Sequence, residues 1–180
     1  MEFSKVVKGR RSIRKYQDRI VRDSEVERLL DLARRAPSSM NGQPWHFVIV
    51  KDDKTKRALT EIKNRFCPAE KQAYAADFLR TAPVIIVVCV DKSRSFGREI
   101  ENGMLATSII LLGAQSRVLG SVCMMAYNSN EPKLSEEIRK ELNIPYGIEP
   151  VSILPLGYPN EISKPKELRP FKEIIHIEHF

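Results

Sequence analysis

The segment Pro83–Val90 constrains the fold more than any other part of the sequence. Its central residues, Val84 to Val88, are all β-branched and apolar, and they lack the alternation of a strand that has one face in water. Such a strand must be covered on both faces, so we expect it at the centre of a sheet. The sequence has no internal repeat and no linker that would divide domains, and we expect residues 1–180 to form one domain.

Further periodic segments predict helices that alternate with strands. Ser24 and Glu27 form a capping box in front of an apolar helical face, and Pro37 is expected to end that helix. His46–Val50 predicts a buried strand, followed by a turn at Lys51–Lys54 and a second helix. The remaining predictions are a short helical excursion within 65–79, strands at Gly120–Ala126 and Val151–Leu156, a helix at Pro132–Leu142 and an edge strand at Lys172–Phe180. The pattern indicates an α/β or α+β sandwich.

The predicted helix Glu101–Val118 is apolar almost all the way round. A membrane span needs about 20 predominantly apolar residues, whereas this segment is shorter and contains Asn102, Thr107, Ser108 and Gln115. A helix without a polar face must be covered on every side, which in a small domain often takes a second subunit. We therefore expect a homodimer and no membrane partner.

Charge and cysteine content exclude several classes of protein. The net charge is +7, from 30 basic and 23 acidic residues, but the basic residues are scattered among acids. This favours attraction to small phosphorylated molecules over a nucleic-acid partner. Cys67, Cys89 and Cys123 are odd in number and widely spaced, so we expect reduced thiols and no metal site. Residues 1–9 lack a signal-peptide pattern, and a cytoplasmic location is expected.

Two segments carry the functional prediction. Arg10-Arg11-Ser12-Ile13-Arg14 offers guanidinium groups for a phosphate, and Pro37-Ser38-Ser39-Met40-Asn41-Gly42-Gln43-Pro44-Trp45 offers short amide and hydroxyl side chains for a polar ring edge. Taken singly, they are also compatible with a solvated basic turn and an ordinary loop. Together they favour a cradle for a phosphorylated heterocycle.

Both segments resemble the flavin-binding signatures of the FMN-dependent nitroreductase family, and the resemblance spans almost the whole chain. It implies an α+β fold: a three-layer sandwich whose central sheet is mixed but mainly antiparallel and flanked by helices, with a C-terminal strand exchanged in a homodimer. It also implies that FMN lies at the subunit interface and takes residues from both subunits.

The resemblance assigns roles to individual residues. Arg10, Ser12 and Arg14 would hold the FMN phosphate and the polar edge of the ring, and Arg169 would be a late phosphate-binding arginine. Gly120–Met125 would pack on the flavin, with Met124-Met125 in place of a glycine found in many relatives. The full set of implied cofactor-binding residues is Arg10, Arg11, Ser12, Arg14, Pro37, Ser38, Ser39, Asn41, Gln43, Gly157 and Arg169.

The activity implied is a ping-pong reaction, in which NADH or NADPH reduces FMN and an electron-poor acceptor such as a nitroaromatic or quinone then takes the electrons. No side chain is expected to act as a catalytic acid or base, because FMN carries the chemistry. The three histidines lack metal or triad spacing, and no GxGxxG or P-loop is present. A specialised member of the family, such as a reductive dehalogenase or a flavin-consuming enzyme, and a non-enzymatic basic binding module remain alternatives.

Overall fold

A single five-stranded sheet forms the middle of the molecule, whose computed structural model describes residues 2–68 and 75–180. The strands are β1 (Trp45–Val50), β2 (Val84–Asp91), β3 (Gly120–Ser121), β4 (Met124–Met125) and β5 (Ile148–Gly157). β2 pairs with β1 on one side and with β5 on the other, and β5 also pairs with β3 and β4. All of these pairings are antiparallel. The prediction of a central strand is confirmed, since Val84 to Val90 of β2 are all buried.

Helices cover both faces of this sheet. They are α1 (Phe3–Gly9), α2 (Asp23–Ala33), α3 (Asp53–Arg65), α4 (Glu99–Ser116) and α5 (Pro132–Glu141). Alternate residues of β2 point to opposite faces. Ile85, Val87 and Cys89 pack in one core with residues of α3 and α5, whereas Val84, Ile86 and Val88 pack in a second core with residues of α2 and α4. The three-layer α+β architecture is confirmed.

The predicted start and end of α2 are wrong. Arg22, in an extended conformation, is the N-cap residue, and it provides no side-chain cap. Ser24 lies inside the helix, so the Ser24–Glu27 capping box does not form. Instead Asp23 and Glu25 lie in the first turn, where negative charge is favourable. The helix ends at Ala33 rather than at Pro37.

Two strand predictions also need correction. Among the strands of residues 2–68 and 75–180, β1 lies at the edge and pairs with β2 alone, and Val50 is the one buried residue of β1. The segment Gly120–Ala126 contains two separate two-residue strands, because only parts of it pair with β5.

The C-terminal segment does not form the expected edge strand. Residues 172–180 contain no strand; a short 3-10 turn, Phe171–Glu173, is followed by irregular, exposed chain. A strand needs a neighbouring edge for its backbone hydrogen bonds, and none of the described strands pairs with this segment. Of the predicted excursion at 65–79, residues 69–74 lie outside the described residues, and Asp77–Leu79 forms a 3-10 turn.

α4 is the longest helix and carries polar residues on its buried side. Asn102 and Thr107 are buried, whereas Leu105 is 42% exposed. The Thr107 and Ser152 hydroxyls form a buried hydrogen bond of 2.6 Å, which connects α4 to β5. Within residues 2–68 and 75–180, no helix combines the length and the apolar character that a membrane span requires.

This hydrogen bond leads to a double-mutant prediction. Thr107→Val leaves the buried Ser152 hydroxyl without its partner and should lower the free energy of unfolding by about 1–3 kcal/mol. Adding Ser152→Ala removes the unpaired group, so the double variant should lose less than the sum of the two single variants. Urea unfolding of the four proteins measures the coupling, and additive losses would contradict this account.

Candidate functional site

The arginine-containing segment is fixed by its backbone against the edge of the sheet. The Arg10 N–H donates to the Val6 carbonyl and ends α1, and the Ile13 N–H donates to the Ser121 carbonyl at 3.1 Å. Ile13 is buried, while Ser12 and Arg14 on either side of it are exposed. The Tyr16 hydroxyl donates to the Ile13 carbonyl at 2.6 Å, and burial, the largest effect, raises the pKa of Tyr16. The segment therefore presents Ser12 and Arg14 outward from a rigid base.

The three arginines of this segment have different partners. The Arg11 guanidinium donates to the carbonyls of Lys8, Arg10 and Lys164, so it connects the N-terminal and C-terminal segments. The ion pairs among the described residues do not include Arg10 or Arg14. Two guanidinium groups are therefore available for an external anion, while Arg11 is largely occupied.

The loop at 37–44 has a strained backbone. Met40, Asn41 and Gln43 have φ values of 50°, 54° and 46°, in the left-handed region that side-chain-bearing residues rarely adopt. Each such residue costs about 1–3 kcal/mol, and such strain is concentrated at binding and active sites. Within the loop, the Gln43 N–H donates to Ser38 Oγ at 3.0 Å, and the Gln43 amide donates to Asn41 Oδ1 at 3.3 Å.

Asn102 holds this loop on the first turn of α4. Its Oδ1 accepts the Ser39 N–H at 2.9 Å, its Nδ2 donates to the Ser95 carbonyl, and its own carbonyl accepts the Trp45 indole N–H at 3.0 Å. In the sequence alone, Asn102 argued only against a membrane span. Its role could not be foreseen, because its partners are distant in sequence.

The close approach of the Arg94 backbone requires glycine at position 42. Arg94 Nε donates to the Gly42 carbonyl at 2.7 Å, and a Cβ atom at Gly42 would lie 2.1 Å from the Arg94 carbonyl oxygen. Any side chain at this position would displace the loop. Arg94 is a second loop-holding residue that the sequence analysis missed.

The two candidate segments lie at opposite ends of α4. The loop contacts Asn102 in the first turn, whereas Gly9, next to Arg10, lies beside Gln115 in the last turn, with 3.2 Å between a Gly9 Cβ position and Gln115 Nε2. Asn102 and Gln115 are separated by about 20 Å along the axis, at about 1.5 Å per residue. One chain therefore does not bring the arginines and the loop together into a single site.

The other predicted residues lie in three further places. Gly157 is buried in β5, where a Cβ atom would lie 2.7 Å from Pro83 Cδ and 2.8 Å from Tyr16 Cδ1. Glycine is therefore needed here for the close packing of Pro83 and Tyr16 against β5. Arg169 lies in the exposed C-terminal segment and binds Glu173. Pro37 is exposed at the entrance to the loop. Cofactor contacts by these residues stay predictions.

A small cavity of about 240 Å³ lies beside Arg14. Lys63, Phe78 and the segment Val122–Met125 line the rest of it. Lys63 Nζ donates to the Met125 carbonyl at 2.7 Å, and burial lowers the pKa of Lys63. Two larger cavities, of about 830 and 570 Å³, contain none of the predicted site residues.

Comparisons with known proteins agree on one family. The model of the Nitroreductase family matches residues 7–158. A putative NADH dehydrogenase/NAD(P)H nitroreductase from Methanothermobacter thermautotrophicus is 34% identical over 99% of this chain and 87% of its own length.

Two solved structures are similar over almost their whole length. An FMN-dependent nitroreductase from Clostridium difficile R20291 has a TM-score of 0.84 and 29% identity, over 97% of this chain and 98% of that one. An iodotyrosine deiodinase bound to FMN and 3-iodo-L-tyrosine has a TM-score of 0.77 and 28% identity, over 99% of this chain and 100% of that one.

The contacts of Asn102 generate a prediction. Asn102→Leu keeps the side-chain size but leaves the Ser39 N–H and the Ser95 carbonyl without their partner, so the free energy of unfolding should fall by about 2–4 kcal/mol. Denaturant unfolding measures the loss. Asn160→Leu, at an exposed position, should change it by less than about 0.5 kcal/mol. Equal stability of the two variants would mean that Asn102 does not hold the loop.

Proposed function

Because the chain belongs to the nitroreductase family, we propose that it is an FMN-dependent oxidoreductase that uses NADH or NADPH to reduce flat, electron-poor acceptors. Nitroaromatics and quinones are the acceptor class. When bound, FMN accepts a hydride from the nicotinamide and passes electrons to the acceptor. The protein binds and orients the cofactor and sets the electrostatics around it.

The residues of the arginine segment fit a phosphorylated cofactor. The guanidinium groups of Arg10 and Arg14 form no ion pair among the described residues, although the Arg14 backbone N–H donates to the Glu161 carboxylate. Ser12 adds an exposed hydroxyl donor between them. Ser121 Oγ, on the strand that bridges to Ser12, is buried without a hydrogen-bond partner in the described part of the chain. Guanidinium groups and hydroxyls are the usual ligands of phosphate and of a pyrimidine edge.

The separation of the two half-sites along α4 is the observation that carries the proposal. A second copy packed antiparallel on α4 would place the loop of one subunit at the arginine segment of the other, and two equivalent sites would result. Ser38, Ser39, Asn41 and Gln43 would then face Arg10, Ser12 and Arg14 across the interface.

The exposed side of α4 fits this packing. Leu105 and Ser108 are exposed, and Met104 and Leu112 are half-buried, so a mainly apolar stripe runs along the helix. Ser108 lies midway between Asn102 and Gln115, where a two-fold axis that relates the half-sites would cross the helix. A small side chain at that point allows two helices to approach closely.

The C-terminal segment gives a second reason for a dimer. Phe171 is 76% exposed, Ile177 85% and Phe180 108%, so apolar side chains of the segment have no cover within the chain. β1 pairs with β2, and no other strand in the described part of the chain pairs with its outer edge. We expect the segment to pair with β1 of the second subunit. This pairing would cover the apolar side chains of the segment and the outer edge of β1, and it would place Arg169 near the shared site.

Reductive dehalogenation is the second candidate activity, supported by the similarity to an iodotyrosine deiodinase. An anaerobic assay of the reduced enzyme separates the two. Reoxidation by nitroaromatics or quinones but not by 3-iodotyrosine supports the first activity, and release of iodide from 3-iodotyrosine supports the second.

Arg14→Ala tests the cofactor assignment. Removing a charged hydrogen-bond donor should weaken FMN binding by tenfold or more, as about 1.5–3 kcal/mol is lost, and should lower the reduction potential of the bound FMN. Fluorescence titration of the apoprotein and a spectroscopic redox titration measure the two effects. The control Arg57→Ala, at an exposed site on α3, should leave both unchanged. Arg14→Ala with normal occupancy and potential would exclude this role.

Ser108→Arg tests the shared site. Two arginines facing each other across the axis cost several kcal/mol, so the dimer dissociation constant should rise by at least about a hundredfold, with FMN lost in parallel. Light scattering measures the oligomeric state, and the flavin absorbance of the purified protein measures its FMN content. Ser24→Arg on the solvent side of α2 is the control. A monomeric variant that keeps FMN at full affinity would contradict a site built from two subunits.

A further inference from the structure

Lys63 is a cation that the sequence analysis did not assign to any function. It lies in the last turn of α3, and its ammonium group turns toward the sheet to donate to the Met125 carbonyl at 2.7 Å. The side chain is half-buried. Burial is the largest effect on Lys63 and lowers its pKa, while the neighbouring thiols of Cys67 and Cys123 act in the opposite direction. A surface lysine would have no such environment.

The carbonyl that Lys63 binds belongs to a weakly held part of the sheet. β4 has only two residues, and its sheet pairing joins Met124 to Ile153 and Met125 to Ser152. Ser152 is itself fixed by Thr107 of α4. Lys63 thus connects β4 to α3 through the Met125 carbonyl, in addition to the pairing of β4 with β5.

Lys63 also shares a cavity with Arg14. The described lining of this cavity consists of the two cations and of Phe78 and Val122–Met125, with no carboxylate. Two lysines that line the 570 Å³ cavity differ, because Lys51 is paired with Asp23 and Lys56 with Asp53. Two positive charges beside apolar walls favour a flat group with negative charge at one edge.

We propose that Lys63 is a second cation of the flavin site, which stabilises the negative charge of the reduced cofactor together with Arg14 and positions β4 beside the ring through the Met125 carbonyl. The inference rests on the proposed function. It assigns Lys63 a charge effect on the cofactor and a positioning effect on the strand, and these can be measured separately.

Three variants separate the two effects. Lys63→Gln keeps a donor for the Met125 carbonyl but removes the charge, Lys63→Met removes both, and Lys63→Arg keeps both. Lys54→Met, an exposed lysine in the first turn of the same helix, is the matched control. The readouts are the reduction potential of bound FMN, from titration against a reference dye, and the denaturant midpoint of the apoprotein.

We expect Lys63→Gln and Lys63→Met to weaken the binding of reduced FMN about tenfold more than the binding of oxidised FMN. The two-electron reduction potential of bound FMN then falls by about 30 mV. Lys63→Arg should restore most of the potential, and Lys54→Met should match the wild type. Lys63→Met should also lower the denaturant midpoint of the apoprotein, while Lys63→Gln should preserve most of it.

A wild-type potential in Lys63→Gln at full FMN occupancy would overturn the charge effect and leave the proposed function intact. An unchanged midpoint in Lys63→Met would overturn the positioning effect. Wild-type protein that binds no FMN would overturn the proposed function and this inference together, so the two failures are distinguishable.

Discussion

The close packing of α4 on β5 is the constraint on which the rest of the structure depends. A Cβ atom at Gly103 would lie 2.7 Å from both methyl groups of Val151, so only a glycine lets the helix approach the strand this closely. Four residues further along, Thr107 binds Ser152 of the same strand. These two contacts fix the distance of the helix from the sheet and its rotation about its own axis. Its first turn then holds the strained loop, and its last turn lies beside the arginine segment.

This placement explains a feature of the sequence that composition alone leaves ambiguous. α4 is apolar almost all round, yet the residues it buries include Asn102 and Thr107, while Leu105 is left partly in solvent. In an isolated chain this is unfavourable, because apolar surface is exposed and polar groups are desolvated. The buried polar groups are satisfied by hydrogen bonds to the loop and to β5. The exposed apolar stripe would be covered by the second copy in the dimer that we propose.

The sequence was sufficient for elements whose pattern is local. The β-branched run predicted the central strand, and the spacing of Leu134 and Ile138 predicted the buried face of α5, because periodicity reflects burial directly. It was insufficient where backbone conformation or a partner outside the segment decides the outcome. Ser24 does not cap α2, since Arg22 adopts the extended conformation of an N-cap residue. The edge strand at the C-terminus does not form, because strand formation depends on a partner outside the segment.

The candidate site shows the same division. Residue types in the two segments predicted a phosphate and ring-edge cradle, but no pattern could reveal that α4 separates them, since this follows from three-dimensional packing. The roles of Asn102, Arg94 and Lys63 likewise depend on contacts with residues far away in sequence. The resemblance of the motif predicted the site residues, whereas contacts in the structure show which residues hold the loop and the strand in place.

Charge placement, rather than net charge, is what the proposed site depends on. Glu25 binds Arg28 and Arg117, and Glu149 binds Lys92 and Arg139, so these four cations are compensated locally. The side chains of Arg10, Arg14 and Lys63 form no ion pair in the described part of the chain, and Arg14 and Lys63 share one cavity. An anion bound beside uncompensated cations relieves their mutual repulsion. In the proposed site, these cations would lie where a phosphate and an electron-accepting ring edge both need positive charge.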